Sequence, residues 1–175
     1  MKNVKTYRGV LMLLSLFISL SIFTLPVWAA TTDQVTTTVT VKNLAVSVSP
    51  SSIDYLTIAI GSTEDTTTSG INNSITATND GNITADFNIQ GADSTNWTLS
   101  DSASGSETYM HQFCTSNCDS SPLWTALNNS SYDTLATGIT ASGNQVFDLQ
   151  ITTPTDTAYY TQQSTTVTIQ IVDPS

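Results

Sequence analysis

The sequence predicts an all-β protein, an antiparallel β-sandwich of about seven to nine strands. Three observations lead there. Short runs alternate apolar residues with Thr or Ser, the two-residue period of a strand with one buried face. Gly, Pro, Asn and Asp separate these runs at intervals that suit turns. Beyond position 30 the residues that favour helices never gather at a spacing of three and four, so no long helix is expected.

Residues 1–30 stand apart from this pattern. Lys2, Lys5 and Arg8 precede an apolar run from Val10 to Leu25, and Pro26 breaks it before the small residues Ala29 and Ala30. That order is expected to be a signal peptide, cut after Ala29 or Ala30, leaving residues 31–175 as a single domain. The competing reading is a retained anchor, but the uncharged run is short for a span of about twenty apolar residues. No second apolar span follows, so no stable membrane insertion is expected after cleavage.

Within residues 31–175, Val35, Val39 and Val41 alternate with Thr, and Leu44, Val46 and Val48 continue the period to Pro50. Ile53 to Ile60 is a second apolar run, and Thr63 to Gly70 reads as a loop. Ile71 to Asn79 and Ile83 to Gln90 flank Asn79-Asp80-Gly81-Asn82, the composition of a tight hairpin turn. Trp97 to Ser100 and Glu107 to Phe113 read as short strands about the Ser/Gly-rich turn at Gly105. Leu123 to Leu135 reads as irregular or as one helical turn. Val146 to Thr152 and Thr165 to Val172 close the chain with Phe147, Leu149 and Ile151, then Val167, Ile169 and Ile171, each set on one face.

The net charge of the whole chain is −10. Three of its four cations precede residue 30 and all fourteen acids follow it, so beyond the leader Lys42 is the one cation and the balance is −13. Phosphate backbones and anionic lipid surfaces both require Lys and Arg, so no nucleic-acid partner is expected. The acids are scattered, without the alternating spacing of a calcium loop, and no metal or cofactor is expected.

Cys114 and Cys118 are the only cysteines and are expected to form a local disulfide, in keeping with an extracellular, cell-surface or periplasmic location. A redox role needs Cys-x-x-Cys at a helix start, and a metal role needs more than His111, the single histidine. No Gly-x-Ser-x-Gly turn presents a nucleophile to His111, so no catalytic residues are assigned and no enzyme is expected. Trp97, Trp124, Tyr159 and Tyr160 are the candidate ligand-binding residues, because ring faces stack on sugar rings; the plainer reading is core packing. Asn72, Asn82, Asn96, Asn128 and Asn129 each begin an Asn-x-Ser/Thr sequon in a chain where those residue types are abundant.

The stretch Val46-Ser-Val48-Ser-Pro-Ser-Ser-Ile53-Asp54-Tyr55, then Gly61-Ser62, then Ile75-Thr-Ala-Thr-Asn79-Asp80-Gly81-Asn82, resembles secreted immunoglobulin-like domains of the abnormal-spindle-like and choice-of-anchor type. Those domains read "P-x-x-I-D-F-G", then "G", then "V-T-N-T-G-N"; here Tyr55-Leu56 replaces Phe-Gly and Asp80 replaces Thr. The resemblance covers roughly residues 46–90. It implies an immunoglobulin-like sandwich in surface, adhesive or filament proteins, with no catalytic residues to carry over. Two functions follow as expectations: a structural or assembly subunit that self-associates or meets a surface protein by strand addition from Val35–Val41, or a monomeric module for a glycan or protein ligand.

Overall fold

Residues 32–174 are described by the computed structural model; the expected leader lies outside them. The described residues form ten strands and no helix: β1 (Val46–Ser49), β2 (Thr63–Asp65), β3 (Ile75–Asn79), β4 (Ala85–Gln90), β5 (Thr98–Ser100), β6 (Thr108–Cys114), β7 (Thr125–Ala126), β8 (Asp133–Ile139), β9 (Asn144–Thr152) and β10 (Thr168–Val172). No helix among them is long and apolar enough to cross a membrane. Ten strands exceed the seven to nine expected because β2 and β7 have only three and two residues, too few for a period to register in sequence.

The strands form a β-sandwich. One sheet runs β1-β3-β9-β6-β5, with β2 added to β9 and β7 to β6; the other runs β10-β4-β8. Every pairing is antiparallel except that of β5 with β6. The nine-residue β9 organises the larger sheet, pairing with β3 along its first half and with β2 along its second. Between those partners Thr66 fills the gap: its N–H donates to Leu149 O (2.9 Å), and its hydroxyl accepts from Leu149 N–H and donates to Asp148 (2.8 Å). Phe87 and Ile89 from one sheet meet Tyr109, Phe113, Phe147 and Leu149 from the other, and these apolar inner faces are the main favourable term in folding.

Four sequence expectations change. Residues 32–45 are not in a strand, and Val35, Val39 and Val41 are 88 %, 90 % and 78 % exposed. Alternation makes Val35–Val41 fit to be a strand, but a strand also needs a neighbour's backbone, and among the described residues none is paired with it. Ile53–Ile60 also forms no strand, whereas the expected loop at Thr63–Gly70 begins with β2. Leu123–Leu135 holds β7 and the start of β8 in place of a helical turn.

The fourth change concerns the expected hairpin. β3 and β4 both form, but β3 pairs with β1 and β9 while β4 pairs with β10 and β8, so the connection arches between sheets. Fully buried Asn79 fixes the arch. Its Nδ2 donates to Ile83 O and Ile139 O (both 2.9 Å), and its Oδ1 accepts from Gly81 N–H (2.9 Å). Gly81 is needed because a Cβ there would lie 2.4 Å from Asn43 O. The turn composition was legible; which sheet each strand joins is set by β9 and β8, far away in sequence.

Candidate functional site

The two sheets do not close along the whole of their shared side. Between them opens a groove of about 1070 Å³, floored by Val48, Ile75, Phe147, Leu149 and Ile151 of the larger sheet, with Val167 and Ile169 on the β10 side. Its rims are two segments outside any strand, residues 51–58 and 159–167.

The second rim arises where β4 stops. β10 pairs with β4 from Thr168–Gln90 to Val172–Asp86, and then Gly91 turns away to donate its N–H to Asn128 O (3.1 Å). A Cβ at Gly91 would press to 2.5 Å of Leu99, so the turn is tightly packed. Upstream of Thr168 the chain nevertheless keeps a strand's alternation: Gln163, Thr165 and Val167 are half-buried, and Ser164 and Thr166 exposed. The inward side chains hold this rim. Tyr109 hydroxyl meets Thr165 Oγ1 at 2.7 Å and also donates to Ala92 O; Asn96 Nδ2 donates to Gln163 Oε1 at 3.1 Å. Residues 159–167 make no backbone–backbone hydrogen bond to any other described residue. Residues 51–58 make none either; Leu56 N–H donates to the Asp54 carboxylate instead (2.8 Å).

A polar pair lies at the groove wall. Tyr55 hydroxyl and His111 Nε2 are 3.1 Å apart, with the rings edge to face. His111 Nδ1 is buried without a hydrogen-bond partner, the only such side-chain atom among the described residues. Burial pushes the imidazole from its ordinary 6.5 down to about 4. Burial also raises the Tyr55 hydroxyl far above the ordinary phenol value, with Asp65, Asp148 and Glu64 adding to the rise. Tyr109 is pushed up to about 12, chiefly by burial, against the opposing hydrogen bond from Thr165. Near neutral pH, His111 is therefore uncharged and both phenols keep their protons.

Of the candidate ligand-binding residues, Trp97, Tyr159 and Tyr160 line the groove, and Trp124 does not. Trp97 is tethered: its indole N–H donates to Thr157 Oγ1 (3.1 Å), whose hydroxyl donates to Glu107 (2.7 Å), and its ring lies 6.3 Å from that of Tyr109. Tyr160 is 79 % exposed. Cys114 and Cys118 form a disulfide with Cα atoms 5.8 Å apart. The disulfide loop docks through Asp119, whose Oδ1 accepts from the N–H and the hydroxyl of Thr68 (both 2.7 Å); these bonds hold that carboxyl below the ordinary range. No group of three or more His, Cys, Asp or Glu among the described residues is placed to hold a metal.

The sequence reading missed the groove and the Tyr55–His111 pair. The pair joins residues 56 positions apart. The 159–167 rim is a polar run whose inward side is only half-buried, so it carries no apolar period. Comparison with family models, with curated proteins and with solved structures gives no match to this chain.

Proposed function

We propose that this chain is a non-catalytic structural or assembly subunit, exported and working outside the cytoplasm, that joins partners by strand addition. The observation that carries this reading is the exposed alternating segment Val35–Val41. Three valines at strand period present their apolar face to water, and Thr, a strand-favouring residue, fills most of the intervening positions. Such a segment gains most when its valines are covered and its backbone is paired, which strand addition does in one step. The Cys114–Cys118 disulfide supports an oxidising compartment, as does the leader-like composition of residues 1–30.

Light scattering on a sizing column across a concentration series tests the reading. The intact protein is expected to form larger species as concentration rises. A variant lacking residues 32–42 should stay monomeric with an unchanged circular dichroism spectrum. An intact protein that remains monomeric throughout would instead favour a ligand-binding module of immunoglobulin-like type. Trp97, Tyr159 and Tyr160 around the groove support that second reading. It predicts glycan or protein binding that Tyr160→Ala weakens.

A further inference from the structure

The geometry points to the acceptor as well as the donor: we propose that the groove between the sheets receives residues 35–41 of a second copy of this chain, which extend the smaller sheet beside residues 160–167. The inference rests on the assembly reading above and adds to it the site and the partner.

Four observations converge on this site. Residues 163–167 continue the burial alternation of β10, yet have no ladder partner among the described residues such as β4 supplies to residues 168–172. Their inward side chains are anchored by Tyr109 and Asn96, so the rim is preformed; its main-chain groups, apart from Thr161 O, which accepts from Gln163 Nε2, have no hydrogen-bond partner among the described residues. The opposite rim, residues 51–58, is equally free of backbone pairing, and the floor between them is apolar. An incoming strand would therefore find main-chain partners at the sides and aliphatic contacts below, the two things strand addition requires.

The donor matches in length, pattern and charge. Seven residues from Val35 to Val41 span roughly 23 Å at about 3.3 Å each, and the free rim of eight residues is of the same order. Val35, Val39 and Val41 fall on one face with Thr37, so one side of the donor suits the apolar floor and the Thr side suits solvent. Asp33 and Lys42 are the only charges in residues 32–42, and none lies within 35–41. For a chain with fourteen acids after the leader, an uncharged donor is the part of one copy that approaches another with least repulsion.

Cysteine cross-linking of the full chain tests this. One preparation carries Thr38→Cys, on the solvent side of the donor, and a second carries Thr166→Cys, exposed on the same side of the rim, each with the Cys114–Cys118 disulfide intact. They are mixed, oxidised gently and read by intact mass and peptide mapping. The expected result is a 38–166 linked heterodimer at least about tenfold more abundant than the link formed when the second preparation carries Thr137→Cys, exposed on the far edge strand β8. A link to 137 instead, or equal links to both, overturns the groove as acceptor. A double variant that links 38 to 166 within one chain, independent of dilution, overturns the second copy as occupant. Thr166→Pro provides an independent arm, since it removes an N–H that is unpaired in the monomer. With the melting temperature unchanged, assembly should fall at least about tenfold, and undiminished assembly counts against the rim. If assembly depends on residues 32–42 but neither groove variant responds, the assembly reading survives and this acceptor is wrong; if the intact protein never assembles, both fall.

Discussion

The arch around Asn79 and the groove beneath residues 159–167 are two ways of ending the same sandwich. At the arch the chain crosses between sheets, and every exposed end is tied. Asn79 N–H donates to Gly143 O, Ser142 N–H to Asn79 O, Asp80 N–H to Ala45 O and Asn82 N–H to Asn43 O, around a side chain that is itself saturated. The buried amide joins two connections, β3–β4 and β8–β9, and the main chain of Asp80 and Asn82 adds the segment before β1. At the groove neither rim pairs its backbone with another described main-chain group; only local side chains reach it, as at Leu56 N–H, Tyr159 N–H and Thr161 O. A sandwich closes where a buried polar group can satisfy the turning backbone, and it stays open where a strand outlasts its neighbour.

This contrast predicts a graded set of responses. The largest belongs to the closed core: Phe87→Ala, at a fully buried site, is expected to lower unfolding free energy by about 3–5 kcal/mol. Val167→Ala on the half-buried groove wall should cost about 1 kcal/mol or less. Urea denaturation of both variants makes the comparison, and equal losses would mean that the groove is as tightly packed as the core.

Asn79→Ala should follow, with a loss of about 2–4 kcal/mol, because it strands the carbonyls of Ile83 and Ile139 and the N–H of Gly81. The same substitution at Asn82, which donates to Val41 O at the surface, should cost well under about 1 kcal/mol. Similar values for the two would remove the distinction between a buried knot and a surface contact.

The groove wall has its own pH signature. His111 titrates near 4 in the folded protein and near 6.5 when unfolded, so the unfolded chain takes up the proton first as pH falls. Its contribution is complete above pH 6.5 and is lost progressively as pH drops to about 4, by up to about 3 kcal/mol. Thermal melts at pH 7 and pH 4.5 should therefore differ more for the native chain than for His111→Gln. A difference of the same size in both would place the sensitivity on the carboxylates.

The disulfide is expected to contribute less than the buried groups Phe87, Asn79 and His111. Its cysteines are only four positions apart, so replacing both with Ser should lower stability by about 2 kcal/mol at most. Unfolding with and without reductant at constant pH measures this, and a much larger loss would show that the Asp119–Thr68 contact depends on the bridge.

Much of the fold could be read from local pattern. The alternation in Ile75–Asn79, Ala85–Gln90 and Asn144–Thr152 reflects side chains pointing to opposite faces, and those segments are strands in the structure. The same pattern misled at Val35–Val41, because alternation reports a fitness to be a strand and not the presence of a neighbour. The candidate site was legible only in its aromatic residues. Trp97, Tyr159 and Tyr160 reach the groove together, while Trp124, chosen on the same grounds, does not.

By itself the sequence determined the fold class, the excess of acids, the pairing of two nearby cysteines and the lack of helix-forming windows, since composition and short-range periodicity dictate these directly. Only the tertiary structure decided that β3 and β4 part into different sheets, that Tyr55 meets His111, and that the segment before β10 is left without a ladder partner among the described residues. Those outcomes depend on which distant segments compete for the same backbone hydrogen bonds and the same buried volume, a competition that no single stretch of sequence records.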